Sequence, residues 1–378
     1  MKNAYSYWEN QTFFNYDVIV IGSGIVGLTA AIQLKKQQHN LKVCVLEAGF
    51  LPSGASTKNA GFACFGSVSE LIEQEKKVGS SALQSLIERR WKGLLKLRAL
   101  LGDDKIDYQK LGGSEIFKNS DTGIYEKCVA KIEHYNDLLK DIVGVNAFSS
   151  RKDNIGKFGL NQIENLIFNQ YEAQIDTGKM MYALIQYAQQ LGVFVINNCK
   201  VKAVQQENFG VSVVCDDGNF SAGRTIVATN AFVKTLLPEL DVKPGRGQVI
   251  LTKPIKNLKT EGTFHYNQGY FYFRNIHDRI LLGGGRNLDF EAETTTNLGL
   301  SDQIQRALEL MLKEVILSGT PFKIEQRWSG IMAFGESLEP IVKEARENIF
   351  YAGRCNGMGV AIGSQMGEDV ATLVLSSM

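Results

Sequence analysis

Apolar and polar positions follow three rhythms along this chain, and each rhythm predicts a different element. Unbroken apolar runs occur at Val18-Ile19-Val20-Ile21, led by Asp17, and at Val43-Cys44-Val45-Leu46. Runs of that length suit strands buried on both faces of a parallel sheet, and the stretch between them reads as helix to about Gln38. An apolar stripe at helical spacing, Leu83, Leu86, Ile87, Trp91, Leu94, Leu95 and Leu101, predicts helix within 67–101, and 122–141 reads as helix too. A third stripe, Met180, Met181, Leu184, Ile185, Ala188 and Leu191, follows Asp176 and Thr177, either of which can cap it, and ends at Gly192. Strands follow at 193–196 and through 201–227, where Asp216-Asp217-Gly218 signals a hairpin. Residues 242–285 are β in character, with Tyr270, Tyr272 and Arg274 alternating with Phe271 and Phe273. A helix at 301–317 and strands at 323–334 and 348–351 complete the pattern.

The joint between the first strand and the first helix carries the chemistry. It reads Gly22-Ser23-Gly24-Ile25-Val26-Gly27. Gly22 allows the tight turn, Gly24 lets the backbone approach a pyrophosphate, and Gly27 lets the helix sit close to the strand. The pyrophosphate then rests on the helix N-terminus, where free N–H groups and the dipole favour anions. Glu47 lies 20 residues after Gly27, at the end of the second strand, placed to accept from an adenosine ribose hydroxyl. Strand, glycines, helix, second strand and acid in that order specify a dinucleotide site.

Composition narrows the setting. The chain has 378 residues, 44% hydrophobic and 21% charged, which is ordinary for a globular protein of two domains or one bipartite one. A net charge of +1 gives no nucleic-acid footprint. No apolar run is long enough for a membrane span. The first sixteen residues hold Trp8, Glu9 and three Asn but no apolar core of an export signal, so a cytoplasmic location is expected. Six scattered cysteines with no CxxC then imply free thiols. The four histidines, His39, His134, His265 and His277, lack metal-ligand spacing, so no metal is expected and each reads as a surface or loop residue.

Five patches, in order, resemble the D-amino-acid oxidase-like superfamily of FAD-dependent amine and amino-acid oxidoreductases, in particular its glycine oxidase-, sarcosine oxidase- and gamma-glutamylputrescine oxidase-like members. They are the 16–49 unit; the loop Ser53-Gly54-Ala55-Ser56-Thr57-Lys58-Asn59-Ala60-Gly61; Lys200-Val201-Lys202-Ala203-Val204; Thr225-Ile226-Val227-Ala228-Thr229-Asn230-Ala231 with Arg246-Gly247-Gln248 after it; and Tyr351-Ala352-Gly353-Arg354 with Gly357-Met358-Gly359-Val360-Ala361. The resemblance implies an α/β fold: a Rossmann-like FAD-binding domain from 1–100, 172–240 and 328–378, with a β-rich α+β substrate domain inserted discontinuously from 101–171 and 241–327. It implies FAD contacts at Gly22, Ser23, Gly24, Ile25, Gly27, Glu47 and Ala48; at Ser56, Thr57, Lys58, Asn59 and Ala60; at Val201; at Ala228, Thr229 and Asn230; and at Gly353, Arg354, Gly357, Met358, Gly359 and Val360. Gly353, Gly357, Gly359, Gly363 and Gly367 would be poor helix interior residues, but clustered glycine suits backbone that approaches a ligand. A helix starting near Gly359 would aim its N–H groups at the flavin pyrimidine. Tyr270, Tyr272 and Arg274 fall on the strand that borders the substrate in relatives, and are the expected catalytic residues. Arg246 and Gln248 are expected to brace the domain interface.

Departures from the family pattern shape the functional expectation. The carboxylate-binding arginine of glycine oxidase-like members follows a Trp-x-Gly patch, and here Met332 stands in its place after Trp328-Ser329-Gly330-Ile331. A guanidinium is the natural carboxylate clamp, so amines are slightly favoured over amino acids unless Arg274, Arg286 or Arg354 substitutes, with Arg274 preferred. The oxygen-activating lysine of sarcosine oxidase-like members is absent from Ile280-Leu281-Leu282-Gly283, which leaves oxidase and dehydrogenase both open. No cysteine lies at 330–332 to tether a flavin, and Asn59 stands near the place of the histidine tether of other relatives, so noncovalent FAD is expected. The expected reaction is oxidation of the C–N bond of a small amine or amino acid to an imine that hydrolyses, with O2 or another acceptor. Two alternatives stand beside it. One is a flavin domain like that of a bifunctional tRNA-modifying enzyme, disfavoured by the near-zero charge and the missing methyltransferase half. The other is a flavin-bearing assembly factor without turnover.

Overall fold

The computed structural model describes residues 5–378 apart from Asp217, with the side chains of Asp153 and Asn154 also left aside. Two eight-stranded sheets dominate it. In the first, Phe194–Ile196, Val43–Leu46, Asn15–Ile21, Asn219–Val227 and Ile349–Gly353 lie side by side and parallel. Val18, Ile19, Val20, Cys44 and Val45 are almost wholly buried, as strands covered on both faces must be. The antiparallel ribbon Val201–Glu207 and Gly210–Cys215 extends the Asn219–Val227 strand. Its expected Asp-Asp-Gly turn falls partly on Asp217, outside the described residues.

Three helices stack on this sheet through missing side chains. Ile25–Gln37 follows the first strand, and a Cβ on Gly27 would stand 2.0 Å from the Gly22 carbonyl oxygen. The C-terminal helix Gly359–Ser376 lies against it so closely that a Cβ on Gly367 would meet Thr29 Oγ1 at 2.0 Å and one on Gly363 would meet Ile25 at 2.8 Å. Gly93, within Ser80–Leu101, faces the Ala361 carbonyl in the same way, at 2.2 Å. The C-terminal glycine cluster therefore divides. Gly363 and Gly367 serve helix–helix contact, whereas only Gly357 and Gly359 reach a ligand-sized cavity.

The second sheet is mixed. Its order is Ile324–Phe334, Lys243–Thr252, Arg279–Gly284, Phe271–Ile276, Thr263–Tyr266, Gly113–Lys118, Ile163–Asn169 and Phe148–Ser150. Only Thr263–Tyr266 and Gly113–Lys118 pair in parallel. One face is apolar: Ile250, Phe264, Phe271, Phe273, Ile280 and Leu282 pack with Ile304 and Leu308 of the helix Asp302–Met311. The Rossmann-like unit with a discontinuous β-rich second unit is the fold that forms. The boundary expected at 328 nevertheless falls inside a single strand, because Ile324–Phe334 pairs with Lys243–Thr252 along nearly its whole length.

Differences in local detail have local causes. The stripe at 67–101 is two helices, Val68–Val78 and Ser80–Leu101, because Gly79 turns the chain at φ +79°. The helix expected at 122–141 is likewise split, into Thr122–Val129 and Ile132–Leu139. The strands Gly113–Lys118, Ile163–Asn169 and Ile341–Arg346 were not evident from pattern. In the first, Glu115 is buried and accepts hydrogen bonds from the Ser67 hydroxyl and the Ser69 N–H, so a tertiary partner satisfies a residue that breaks the apolar rhythm.

The Gly27 contact yields a direct expectation. Gly27→Ala should cost roughly 1–3 kcal/mol or more through overpacking against backbone that cannot step aside. A melting temperature equal to wild type in a thermal scan would show that the helix can be displaced without penalty.

Candidate active site

A cavity of about 1130 Å³ runs between the two sheets. Its first half is built from the ends of the parallel strands. Gly22, Gly24, Ile25, Glu47, Ala48, Ser56, Lys58, Asn59 and Ala60 line it, with Val201, Ala228, Thr229 and Asn230 opposite and Gly357, Met358, Gly359 and Val360 closing it. Two helix N-termini thus open into one space, that of Ile25–Gln37 and that of Gly359–Ser376. Gly22 holds φ +105°, and a Cβ there would meet the Ala228 carbonyl oxygen at 2.8 Å, so the turn requires glycine. Glu47 is held in place from within the protein: Ser23 donates to Oε2 through its N–H (3.0 Å) and its hydroxyl (2.7 Å), and Gly49 N–H donates to Oε1 at 2.9 Å. The Ser56 hydroxyl accepts from Ile25 N–H at 3.0 Å and ties the following loop to the helix.

These features fit FAD. The cradle presents free first-turn N–H groups at two helix starts, a fixed ribose-side carboxylate and a buried Thr229 hydroxyl oxygen with no hydrogen-bond partner among the described residues. Five of the expected contacts are placed elsewhere. Ser23 is wholly buried and serves Glu47, while Gly27 faces the Gly22 carbonyl. The Thr57 hydroxyl donates to Pro52 O. Gly353 lies within the strand end, where a Cβ would meet Tyr351. Arg354 is buried, and its guanidinium donates to the Asp241 carboxylate (2.7 Å) and to Glu339 O (2.6 Å), closing the loops behind the cradle. The Asn59 side chain is also occupied, donating to Ser56 O and accepting from Gly61 N–H, so this residue meets the cavity as a fixed loop corner.

The second half of the cavity is walled by the second sheet. Tyr270 and Tyr272 line it, as do Phe62, Val249, Met332 and Phe334. Burial pushes the Tyr272 hydroxyl up to about 12, so it is a neutral donor at physiological pH. Gly247, Gly284 and Gly330 leave the floor of this half without side chains. Arg274 is corrected by the structure. It shares the Tyr272 face of Phe271–Ile276, but its Nη1 donates to the carbonyls of Ile175 (2.7 Å), Gly61 (3.1 Å) and Ala60 (3.3 Å), and it does not reach the cavity wall. It is a stitch between the sheets. Arg246 is forked on Glu293 at 2.8 and 2.7 Å, with Gln248 donating to the same carboxylate, so the pair braces the second unit internally rather than the domain interface.

A family model described as FAD dependent oxidoreductase (DAO) matches residues 17–373. The chain belongs to this family. The bifunctional protein ThiO/ThiG of Synechocystis sp. is 29% identical over 239 residues, which is 62% of this chain and 32% of that protein, so the chain spans about a third of that relative's length. Glycine oxidase of Geobacillus kaustophilus is 23% identical over 384 residues, covering 95% of this chain and 93% of that one. Among solved structures, L-proline dehydrogenase from P. horikoshii superposes with a TM-score of 0.76 at 17% identity, covering 96% of this chain and 94% of the other, which shows a shared fold. No helix among the described residues is long and apolar enough to cross a membrane.

One cavity residue was not anticipated. His265 was expected at the surface, yet it is buried on Thr263–Tyr266 and lines the cavity beside Phe62. Its Nε2 lies 2.6 Å from Glu172 Oε1, which also accepts from the Thr263 hydroxyl at 2.7 Å. Burial alone would lower its pKa, but the charge and hydrogen bond of Glu172, with Glu70 and Glu115 behind, raise it from 6.5 to about 9. The apolar–polar alternation of Thr263-Phe264-His265-Tyr266 was the available signal, since it puts His265 opposite the buried Phe264.

Two outcomes are expected. A raised histidine contributes stability that is complete below about pH 6.5 and is lost as pH rises through about 9. His265→Gln should therefore lower the melting temperature most at pH 6 and flatten its decline between pH 6.5 and 9; a parallel curve would contradict the ion pair. Glu47→Gln should weaken FAD binding roughly 10- to 150-fold, the worth of one hydrogen bond to a charged acceptor. Unchanged affinity in a fluorescence titration would mean that the carboxylate never meets the ribose.

Proposed function

We propose that this chain oxidises the C–N bond of a small amine or amino acid with noncovalently held FAD. The observation that carries the reading is the continuity of a dinucleotide cradle with an aromatic, glycine-floored chamber in one cavity. Bound FAD would supply the acceptor for the hydride that leaves the carbon next to nitrogen, the nitrogen giving up its proton, with O2 or another acceptor taking the electrons onward. The protein's share is placement. Phe62, Tyr270 and Tyr272 exclude water, and a low-dielectric wall favours the neutral, reactive form of an amine. Tyr272 remains protonated and offers a donor without competing for the proton. His265, held as a cation by Glu172, adds no base. The product imine hydrolyses once released to water.

Two of the cysteines that line the cavity, Cys64 and Cys355, support noncovalent attachment. Burial pushes the Cys355 thiol up to about 12 and raises that of Cys64 well above its usual range, and the thiol form is not a nucleophile. The purified protein should be yellow and should release intact FAD on acid precipitation, with flavin retained in the pellet counting against this arrangement. Under anaerobic conditions some member of a panel of amines and amino acids should bleach the flavin. A yellow protein bleached by dithionite but by no amine or amino acid would point instead to a flavoprotein without this turnover.

A further inference from the structure

Met332 leaves the usual carboxylate position of the family without a cation, but the wall around it does contain one. Met332 pairs across the sheet with Gly245. A Cβ on Gly245 would stand 2.9 Å from Arg286 Nε and 2.5 Å from the Phe334 ring. The missing side chain at 245 thus makes room for Arg286, which arrives from the turn after Arg279–Gly284 and sits beside Met332. Its guanidinium carbon lies 4.3 Å from the Phe334 ring centre and 5.0 Å from that of Phe290. These rings fix the plane of the fork.

Arg286 lines the cavity, and its Nε is buried without a hydrogen-bond partner among the described residues. The Glu293 carboxylate acts on it through charge alone, its hydrogen bonds being spent on Arg246 and Gln248. A half-buried guanidinium with no hydrogen-bonded anion is costly, and such a group awaits a ligand more readily than one already spent, as Arg274 and Arg354 are. Resting on the C–N oxidation reading, we infer that the substrate carries a carboxylate and that Arg286 anchors it, restoring from a neighbouring turn the charge absent at Met332. A single fork matches a planar monoanion. A phosphate dianion would leave charge unmatched against Phe334, Tyr270 and Tyr272. Lys77 and Lys200 also reach the cavity, but from exposed positions, and Lys58 belongs to the cofactor loop, where Trp328 Nε1 donates to its carbonyl.

The test uses the FAD-loaded protein and its Arg286→Met, Arg286→Lys and Lys77→Met variants, with retained FAD content reporting the fold. Benzoate, an unreactive carboxylate, should perturb the flavin spectrum of the wild type. Its affinity should fall roughly 10- to 150-fold in Arg286→Met, less in Arg286→Lys and little in Lys77→Met. In anaerobic mixing, glycine, alanine or proline should reduce the flavin faster than the matched methylamine, ethylamine or pyrrolidine, and Arg286→Met should erase that advantage. Equal benzoate affinity in wild type and Arg286→Met would overturn the assignment. So would no benzoate binding to the wild type, loss of binding in Lys77→Met alone, displacement by equimolar inorganic phosphate, or matched amines that react as fast as the acids. If neither amines nor acids bleach the flavin, the C–N reading fails, and the benzoate titration alone decides Arg286.

Discussion

The Gly22 carbonyl and the Gly27 α-carbon approach each other so closely that any side chain at 27 would enter backbone, and the cofactor cradle depends on that approach. It sets the first helix directly on the end of the first strand, so the free N–H groups of its opening turn face the cavity. A related close approach holds the C-terminal helix to the first at Gly367, which faces Thr29 and the Ala30 backbone, and the Ser80–Leu101 helix to the C-terminal one at Gly93, which faces the Ala361 carbonyl. Side-chain packing tolerates small adjustments, whereas backbone against backbone does not. The directions of two helix N-termini are fixed by it, and both open into the same cavity.

The buried arginines around this frame are almost wholly occupied. Arg274 ties the second sheet to carbonyls of the cradle-side segments, Arg354 holds Asp241 and Glu339 behind the cradle, and Arg246 holds Glu293 within the second unit. His265 answers Glu172 in a buried cluster with Glu70 and Glu115 nearby. Buried charges that are paired and hydrogen-bonded hold a geometry, and losing one partner would leave the other stranded. Arg286 differs from these in having aromatic rings beside it and, among the described residues, no hydrogen-bonded partner on its Nε. That contrast sets it apart from the arginines that build the site.

The first 34 residues of the nucleotide unit, 16–49, were legible because every part of the motif serves a local requirement: a turn, a close approach, a helix start, an acid at a strand end. The C-terminal flavin loop was legible for the same reason at Gly357 and Gly359. Alternation also placed Tyr272 correctly, because a strand with Phe271 and Phe273 in the core must present its other face elsewhere. What local pattern could not supply was the destination of a side chain. Arg274 and Tyr272 share one face of one strand, yet one ends on backbone carbonyls and the other on the cavity. Arg286 was one of three candidate arginines in the sequence, and what sets it apart is Gly245, 41 residues earlier in the chain, where an absent Cβ opens the space it fills. His265 and Glu172 are 93 apart in sequence and meet only when their segments fold together. Sequence by itself determined the glycine turn, the helix start and the acid at the strand end, since each answers a local backbone requirement. The aromatic wall of the cavity was decided by tertiary structure, because which arginines are spent on hydrogen bonds depends on partners distant in sequence.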